Sequence, residues 1–439
     1  MSAPQLWRDL FAERAAALPG ARLPWLARLR GQAIERFAEE GWPTRRLDAW
    51  RHTPLALLGE QAFVAADGRA EVAAAVAQLH REAGAPEHWL VFVDGHHRPD
   101  LSTPGGLPQG CHAGSLAEAL TQDAPELEAL MGRAEEGGSP AALNLAFAAD
   151  GAYVCIGTGV AIESPLHLVF VSATAEAATH VRNLVQAGAN SVATIVEHHV
   201  GLAEAQTLAT VETRLALERD ARVTHLKLQR ESGAGFHLAR IDAQQAGGSV
   251  FDSHSLSFGA RLARTDIETR FAGEGCEALF NGLYHADGRR HVDHHTRIDH
   301  AQPRGTSREY YRGILDGAAH GVFSGRILVA PGAVRTDAVQ RTDNLLLSAQ
   351  AEADARPELE IYAADVKCAH GATVGQLDEE ALFYLRARGL DEAHARKLLT
   401  LAFAGEVLER IRDEALRRCA REILLARLPG GERMEESYA

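Results

Sequence analysis

Cys368 and His370 stand two residues apart in the stretch DVKCAHGATVG, Asp365 to Gly375. Thiolate and imidazole both ligate iron and zinc, and Lys367 beside the cysteine could help depress the thiol pKa. On an extended strand, residues i and i+2 share a face, so both side chains could reach one ion. Two ligands do not close a four-coordinate site. The sequence offers no obvious second pair, so a metal here needs residues from elsewhere, a partner subunit being the natural source. The plain alternative is a core cysteine beside a turn histidine, because cysteine is among the most buried residue types. Spacing alone leaves both open.

A second concentration lies in YHADGRRHVDHHTRIDH, which holds His285, His291, His294, His295 and His300 with Asp287, Asp293 and Asp299. Read as a strand, it puts His291, Asp293, His295, Arg297 and Asp299 on one face. Val292, His294, Thr296, Ile298 and His300 take the other. Histidine and carboxylate can ligate a metal. The favoured reading is a hydrogen-bonded ladder along a solenoid face, since the spacing fits no specific metal motif.

Several chemistries are missing. There is no GxxxxGK[ST] loop with which to hydrolyse ATP, no HExxH, no GxSxG in a strand-turn-helix setting, and no dinucleotide fingerprint. The five cysteines are scattered without a CxxC, which argues against a disulfide framework or a zinc ribbon. A formal net charge of −14 disfavours nucleic acid or an anionic membrane as the main partner. No apolar run reaches membrane-spanning length and no secretory signal opens the chain, so the cytoplasm is the default.

Three textures must position these residues. The 439-residue length suggests two or three domains, or an elongated repeat. Residues 1–145 read as mainly helical: LWRDLFAERAAAL, PWLARLRGQAIERFAEEG closed by Gly41, EVAAAVAQLHREAG and SLAEALTQDAPELEALMG carry helical periodicity. HWLVFVDGHHRPD reads as a strand running into a turn. Residues 146–375 switch to short β-type runs at intervals of roughly 12–15 residues, separated by Gly, Asp, Asn and Ser clusters. Small and polar strand residues and glycine-rich turns favour a β-solenoid. Residues 376–428 return to helices, with Asp378 and Asp391 as N-caps and Gly389 as a C-cap, and 429–439 form a polar tail.

The segments VFSGRILVAPGAVRTDAVQRTDNLLLS, PELEIYAADVKCAHGATVGQLDEEALFYLRARGL and FNGLYHADGRRHVDHHTRIDH resemble the SufB/SufD family of iron–sulfur cluster assembly proteins. GWPTRRLDAWRHTPL resembles it more loosely. The resemblance spans roughly residues 40 to 425, is most specific between about 280 and 390, and leans to the SufD form. Ala369 and His294 depart from it, standing where serine and asparagine are common. It implies a central right-handed parallel β-helix flanked by N-terminal and C-terminal helical domains. It also implies pairing with SufB through the β-helical cores, or a homodimer, and one SufC ATPase held by the C-terminal helices. A nascent cluster, transient and shared, would form at the SufB–SufD interface, with no nucleotide bound by this chain. His370 is then the interfacial ligand and Cys368 its neighbour. Phe383, Tyr384, Leu385, Arg386 and Leu398 become candidate anchors for the ATPase, since aromatic and arginine side chains dominate interfaces. The same helices could instead cap the open end of the solenoid. Two rival readings are a SufB-like sulfur acceptor and a β-helix enzyme acting on polysaccharide.

Overall fold

A computed structural model describes residues 3–428 apart from Pro54, Pro86 and Pro125. The expected polar tail, 429–439, lies outside the described residues. From Ala152 onward successive strands alternate between two sheets, so each coil contributes one strand to each. Sheet I runs through Trp89–Val93, Leu166–Ser172, Val192–Gly201, Arg222–Arg230, Val250–Ser257, Glu277–Ala286, Thr306–Leu315, Asp337–Leu346 and Lys367–Gly375. Sheet II runs through Ala152–Ile156, Ala178–Ala187, Leu208–Leu217, Phe236–Gln245, Leu262–Phe271, His291–His300, His320–Val329 and Glu352–Ile361. Neighbours within each sheet are parallel and in register, giving a solenoid of about eight coils. Antiparallel pairing occurs at its start, where His96–His97 and His112–Ser115 turn the chain in.

The coil repeat is fixed by backbone rather than by side-chain identity. Asn190, Asp220, Gly248, Gly275, Arg304, Arg335 and Asp365 all have positive φ, between 56° and 75°. They occupy the same turn of successive coils. Each of the first six donates its N–H to a carbonyl in the corresponding turn of the next coil, as in Asn190 to Arg219 at 2.9 Å and Arg335 to Asp365 at 2.7 Å. A residue in this conformation can be Asn, Asp, Gly or Arg, so the repeat leaves little trace in sequence.

Inward-facing positions form the core: Val223, Phe251, Ala278, Phe280 and Tyr311 from sheet I meet Ile241, Ile267, Ile298 and Phe323 from sheet II. The outer faces are covered by helices. Ala3–Arg14, Pro24–Glu40 and Ser139–Phe147 bury Trp7, Phe37, Leu143 and Phe147 against Leu184, Leu208, Phe236 and Leu262 of sheet II. The helix Ser139–Phe147 escapes periodicity analysis because it is buried on all sides. Glu392–Leu408 and Glu414–Arg427 lay Ala404, Val407, Leu408, Cys419, Ile423 and Leu424 on Leu226, Leu228, Leu256, Leu283 and Ile314 of sheet I. The expected N-caps form: Asp378 accepts from the Glu380 N–H at 2.8 Å and Asp391 from that of His394 at 2.9 Å. The C-terminal helices therefore flank the solenoid and do not cap its end, because their apolar stripe matches an apolar sheet face.

Gly282 makes room for the buried Tyr311 ring, which a Cβ there would strike, whereas a Cβ on Gly371 in the final strand meets nothing within 4 Å. Gly282→Ala is expected to destabilise the chain by about 1–3 kcal/mol, while Gly371→Ala stays within about 0.5 kcal/mol of wild type. Parallel thermal melts check this; equal shifts for the two would contradict the packing described.

Candidate functional site

The final strand of sheet I, Lys367–Gly375, carries the Cys–His pair. Register sets Cys368 beside Ala338 and His370 beside Gln340. One coil back the same columns hold Ser307 and Glu309, and before those Ala278 and Phe280. Ala278 and Phe280 belong to the inner core, so Cys368 and His370 lie on the interior face of the solenoid. Among the described residues no later strand pairs with theirs, so this inward row ends in the open. His370 is exposed and Cys368 half-buried.

Cys368 packs on Ile327, Val329, Ala333 and Ala338. Burial pushes its thiol up; a hydrogen bond from the Ala338 backbone opposes this, and the Asp337 carboxylate adds to the rise. The expectation that Lys367 activates the thiol is not met. Adjacent strand residues face opposite ways, so Lys367 lies on the outer face, in register with Asp337.

Behind His370 stands a polar column. The Gln340 amide donates to Glu309, and Thr296 Oγ1 donates to the same carboxylate at 3.2 Å. Gly325 leaves the space that the Gln340 side chain fills. Glu309 is completely enclosed, and burial pushes its carboxyl up to about 7; two neutral donors only partly offset that. Sequence reasoning missed this column because it depends on register between coils. The trace is positional: 309, 340 and 370 recur at close to the coil length.

The open end also carries apolar surface. Glu352–Ile361 ends sheet II as Lys367–Gly375 ends sheet I, so both present unpaired backbone edges. Val374, Ile361 and Tyr362 are exposed there, Tyr362 to 62%. Among the described residues nothing covers this end. Long unpaired edges with apolar side chains call for a partner strand or surface.

The proposed anchors fall in two places. Phe383 is 75% exposed and Tyr384 56% exposed on the helix Glu379–Ala387, with Arg388 over the Tyr384 ring at 4.8 Å. Leu385 is half-buried, and Arg386 pairs with Glu392 at 3.6 Å. Leu398 lines a separate groove of about 960 Å³ between the last two helices, walled by Leu401, Glu406, Arg417 and Arg421.

The histidine run takes its expected faces. Outside, Asp293 holds Arg264 at 3.0 Å and His295 at 3.1 Å, and Arg297 holds Asp299 at 3.0 Å. Inside, His294 sits between Tyr284 and Tyr311, 5.4 Å from each ring. Among the described residues no group of three potential metal ligands draws on the run, nor on Cys368 or His370.

Glu309 gives a pH test. Its pKa is raised in the folded state, so between the ordinary carboxylate value of 4.5 and about 7 the folded chain holds a proton that the unfolded chain has lost. Stability contributed by this group is therefore present below 4.5 and lost as pH rises to about 7. Glu309→Gln is expected to gain melting temperature over wild type at pH 8 but not at pH 4.5. An equal difference at both values would remove the carboxyl from this role.

Residues 170–403 match the family described as SUF system FeS cluster assembly, SufBD core domain, and residues 1–168 match the SufBD protein N-terminal region. The chain is 31% identical to the iron-sulfur cluster assembly protein SufD of Escherichia coli strain K12 over 98% of both chains. It is 33% identical to an iron-sulfur cluster assembly SufBD family protein of Synechocystis over 84% of both. It is 26% identical to the chloroplastic protein ABCI7 of Arabidopsis thaliana, over 92% of this chain and 86% of that one. No described helix is long and apolar enough to cross a membrane. With both sheets, both helical ends and the Cys368–His370 strand inside the matched span, this chain belongs to the SufB/SufD family of iron–sulfur cluster assembly proteins, and is SufD-like along its whole length.

Proposed function

We propose that this chain is the SufD-like, non-catalytic subunit of a SufB–SufC–SufD scaffold, contributing half of a site where a nascent iron–sulfur cluster is built. The carrying observation is the open end: an inward-facing histidine and thiol at the last coil, between two uncovered sheet edges. In this reading SufB covers the edges through its own β-helix. His370 offers the first ligand from this chain, and Cys368, its thiol protonated by burial, is a reserve that deprotonates on meeting iron. The remaining ligands come from SufB. The cluster is cargo here, and nucleotide belongs to SufC.

A physical connection supports coupling to the ATPase. On the docking side, Glu406 of the helix Glu392–Leu408 accepts from Tyr310 at 2.6 Å and pairs with Arg312 at 2.6 Å. Arg312 also donates to the Phe403 carbonyl and lies 3.7 Å from Asp343. Asp343 accepts from Thr373 of the final strand at 2.6 Å. A helix that contacts SufC differently in its two nucleotide states could thereby bias the strand that holds His370. Because Arg312 and Asp343 are both buried, this path tolerates little slack.

Anaerobic co-expression with cognate SufB and SufC tests the site. His370→Ala should leave the complex assembled while iron and labile sulfide per complex fall at least severalfold; full cluster content in the variant would make this chain a structural brace only. The docking and relay parts separate by substitution. Leu398→Glu and Phe383→Glu should lose SufC on co-purification, whereas Asp343→Asn should keep SufC and lower cluster yield. Retention of SufC by both helix variants would move the docking surface elsewhere.

A further inference from the structure

We propose that His52, His320 and Asp354 form a binding site for a divalent first-row transition-metal ion that clamps the N-terminal segment onto the outer face of sheet II.

Three distant parts of the chain deliver these ligands. The segment after the turn Asp48–Trp50 crosses sheet II and is held there firmly. Arg264 stacks over the Trp50 ring at 3.7 Å and donates to the Ala49 carbonyl at 2.6 Å. Thr53 donates to Asp293 and lies 3.1 Å from His291 Nε2. Between these fixed points His52 is set over the strands His320–Val329 and Glu352–Ile361. His320 is in register with Glu352, so Asp354 lies two residues along the neighbouring strand on the same face. Both imidazoles turn a ring nitrogen to one oxygen, Asp354 Oδ2: His52 Nδ1 at 2.9 Å and His320 Nε2 at 2.8 Å. All three ligand atoms lie within 4.8 Å of one another.

The spacing suits an ion. Adjacent ligands of an octahedral metal at about 2.1 Å stand about 3.0 Å apart, and those of tetrahedral zinc about 3.4 Å. The observed separations from Asp354 need to open by only a few tenths of an ångström. Two imidazoles and one carboxylate form a donor set for Zn²⁺, Fe²⁺, Co²⁺ or Ni²⁺ rather than for calcium or magnesium. Open coordination positions would face a cavity of about 90 Å³ lined by His52, Asp354 and His295, which has room for water. The neighbouring cation Arg356 is already engaged by Asp48 and by Glu358 at 2.6 Å. The His291 ring packs edge-on to His320 at 4.9 Å and helps fix its orientation.

The other group with three potential ligands shows what a purely structural cluster looks like. His199, Glu231 and His237 are fully enclosed, but His237 is bonded to Glu231 at 2.6 Å through one nitrogen and faces the Lys227 ammonium at 2.7 Å through the other. His199 is committed to Glu197 at 2.9 Å. A cation entering there would meet a lysine and displace existing bonds. At His52, His320 and Asp354 the ligand atoms converge, are half-exposed, and adjoin a solvent cavity.

The test uses the full chain without a histidine tag, freed of metal by chelator and titrated with Co²⁺, then with Zn²⁺. One equivalent of Co²⁺ should bind with visible ligand-field absorption, be displaced by Zn²⁺, and raise the melting temperature. Asp354→Asn and His320→Gln should each weaken Co²⁺ binding at least tenfold, while His394→Gln, at a histidine outside both sites that pairs with Asp391, binds as wild type does. His52→Gln, in a surface segment, keeps the test open should either strand variant fail to fold. Wild-type affinity in these ligand variants, or no stoichiometric binding by the wild-type chain, overturns the proposal and leaves a hydrogen-bonded tie in which Asp354 joins the two histidines.

Discussion

A parallel coil cannot satisfy its own backbone. Each inner strand of the solenoid has its N–H and C=O groups paired with the coils before and after it, and the positive-φ turn residues add one more bond from coil to coil. The first coils meet this demand with two short antiparallel strands and with helices laid on the sheet faces. The last coil has no such device among the described residues. Helices that could have closed it are drawn instead to the flank of sheet I, where Leu226, Leu256, Leu283 and Ile314 offer an apolar bed. Folding thus leaves one end unfinished.

The interior is unusually polar for a core, and partner identity decides what that polarity does. Glu197 and Glu309 are both fully enclosed. Burial alone would raise the pKa of each. For Glu197, His199 at 2.9 Å and His225 at 3.2 Å overcome burial and hold its carboxyl well below the usual range. Glu309 has only an amide and a hydroxyl, and burial wins. Charge-paired columns of the first kind are costly to break, and they disfavour slipped registers, because a one-residue slip would bury unpaired charges. The second kind leaves an acid that keeps its proton up to about pH 7, one coil behind Gln340 and two behind His370.

Local periodicity made much of this legible. The strands from Arg222 to Val329, apart from Thr306–Leu315, and the helices after Gln376 fall where β-type runs and capping residues place them, since Asp378 and Asp391 act through neighbours two or three residues away. The face shared by Cys368 and His370 follows from strand geometry alone. What escaped depends on contacts between coils: the Glu309–Gln340 column, the flanking position of the C-terminal helices, and the pairing of His52 with His320 and Asp354. Lys367 shows the reverse error. Proximity in sequence suggested contact with the thiol, but alternation puts the two on opposite faces. The helix Ser139–Phe147 was hidden because a helix buried all round has no stripe to read.

Buried polar contacts nevertheless run from the flank to the end. Among the described residues the C-terminal helices and the final strand share no core cluster, yet Arg312 and Asp343 touch both, through Glu406 on one side and Thr373 on the other. Arg312 is nearly enclosed, so moving the helix that carries Glu406 and Phe403 away would leave a buried guanidinium whose remaining carboxylate, Asp343 at 3.7 Å, is already paired with Arg341 at 2.9 Å. That penalty is larger than the worth of an exposed ion pair. A displacement of the helix is therefore cheaper if Arg312, Asp343 and Thr373 move with it than if the path breaks. Among the described residues the last strand pairs on one side only, so fewer ladder bonds oppose its displacement than oppose that of an inner strand.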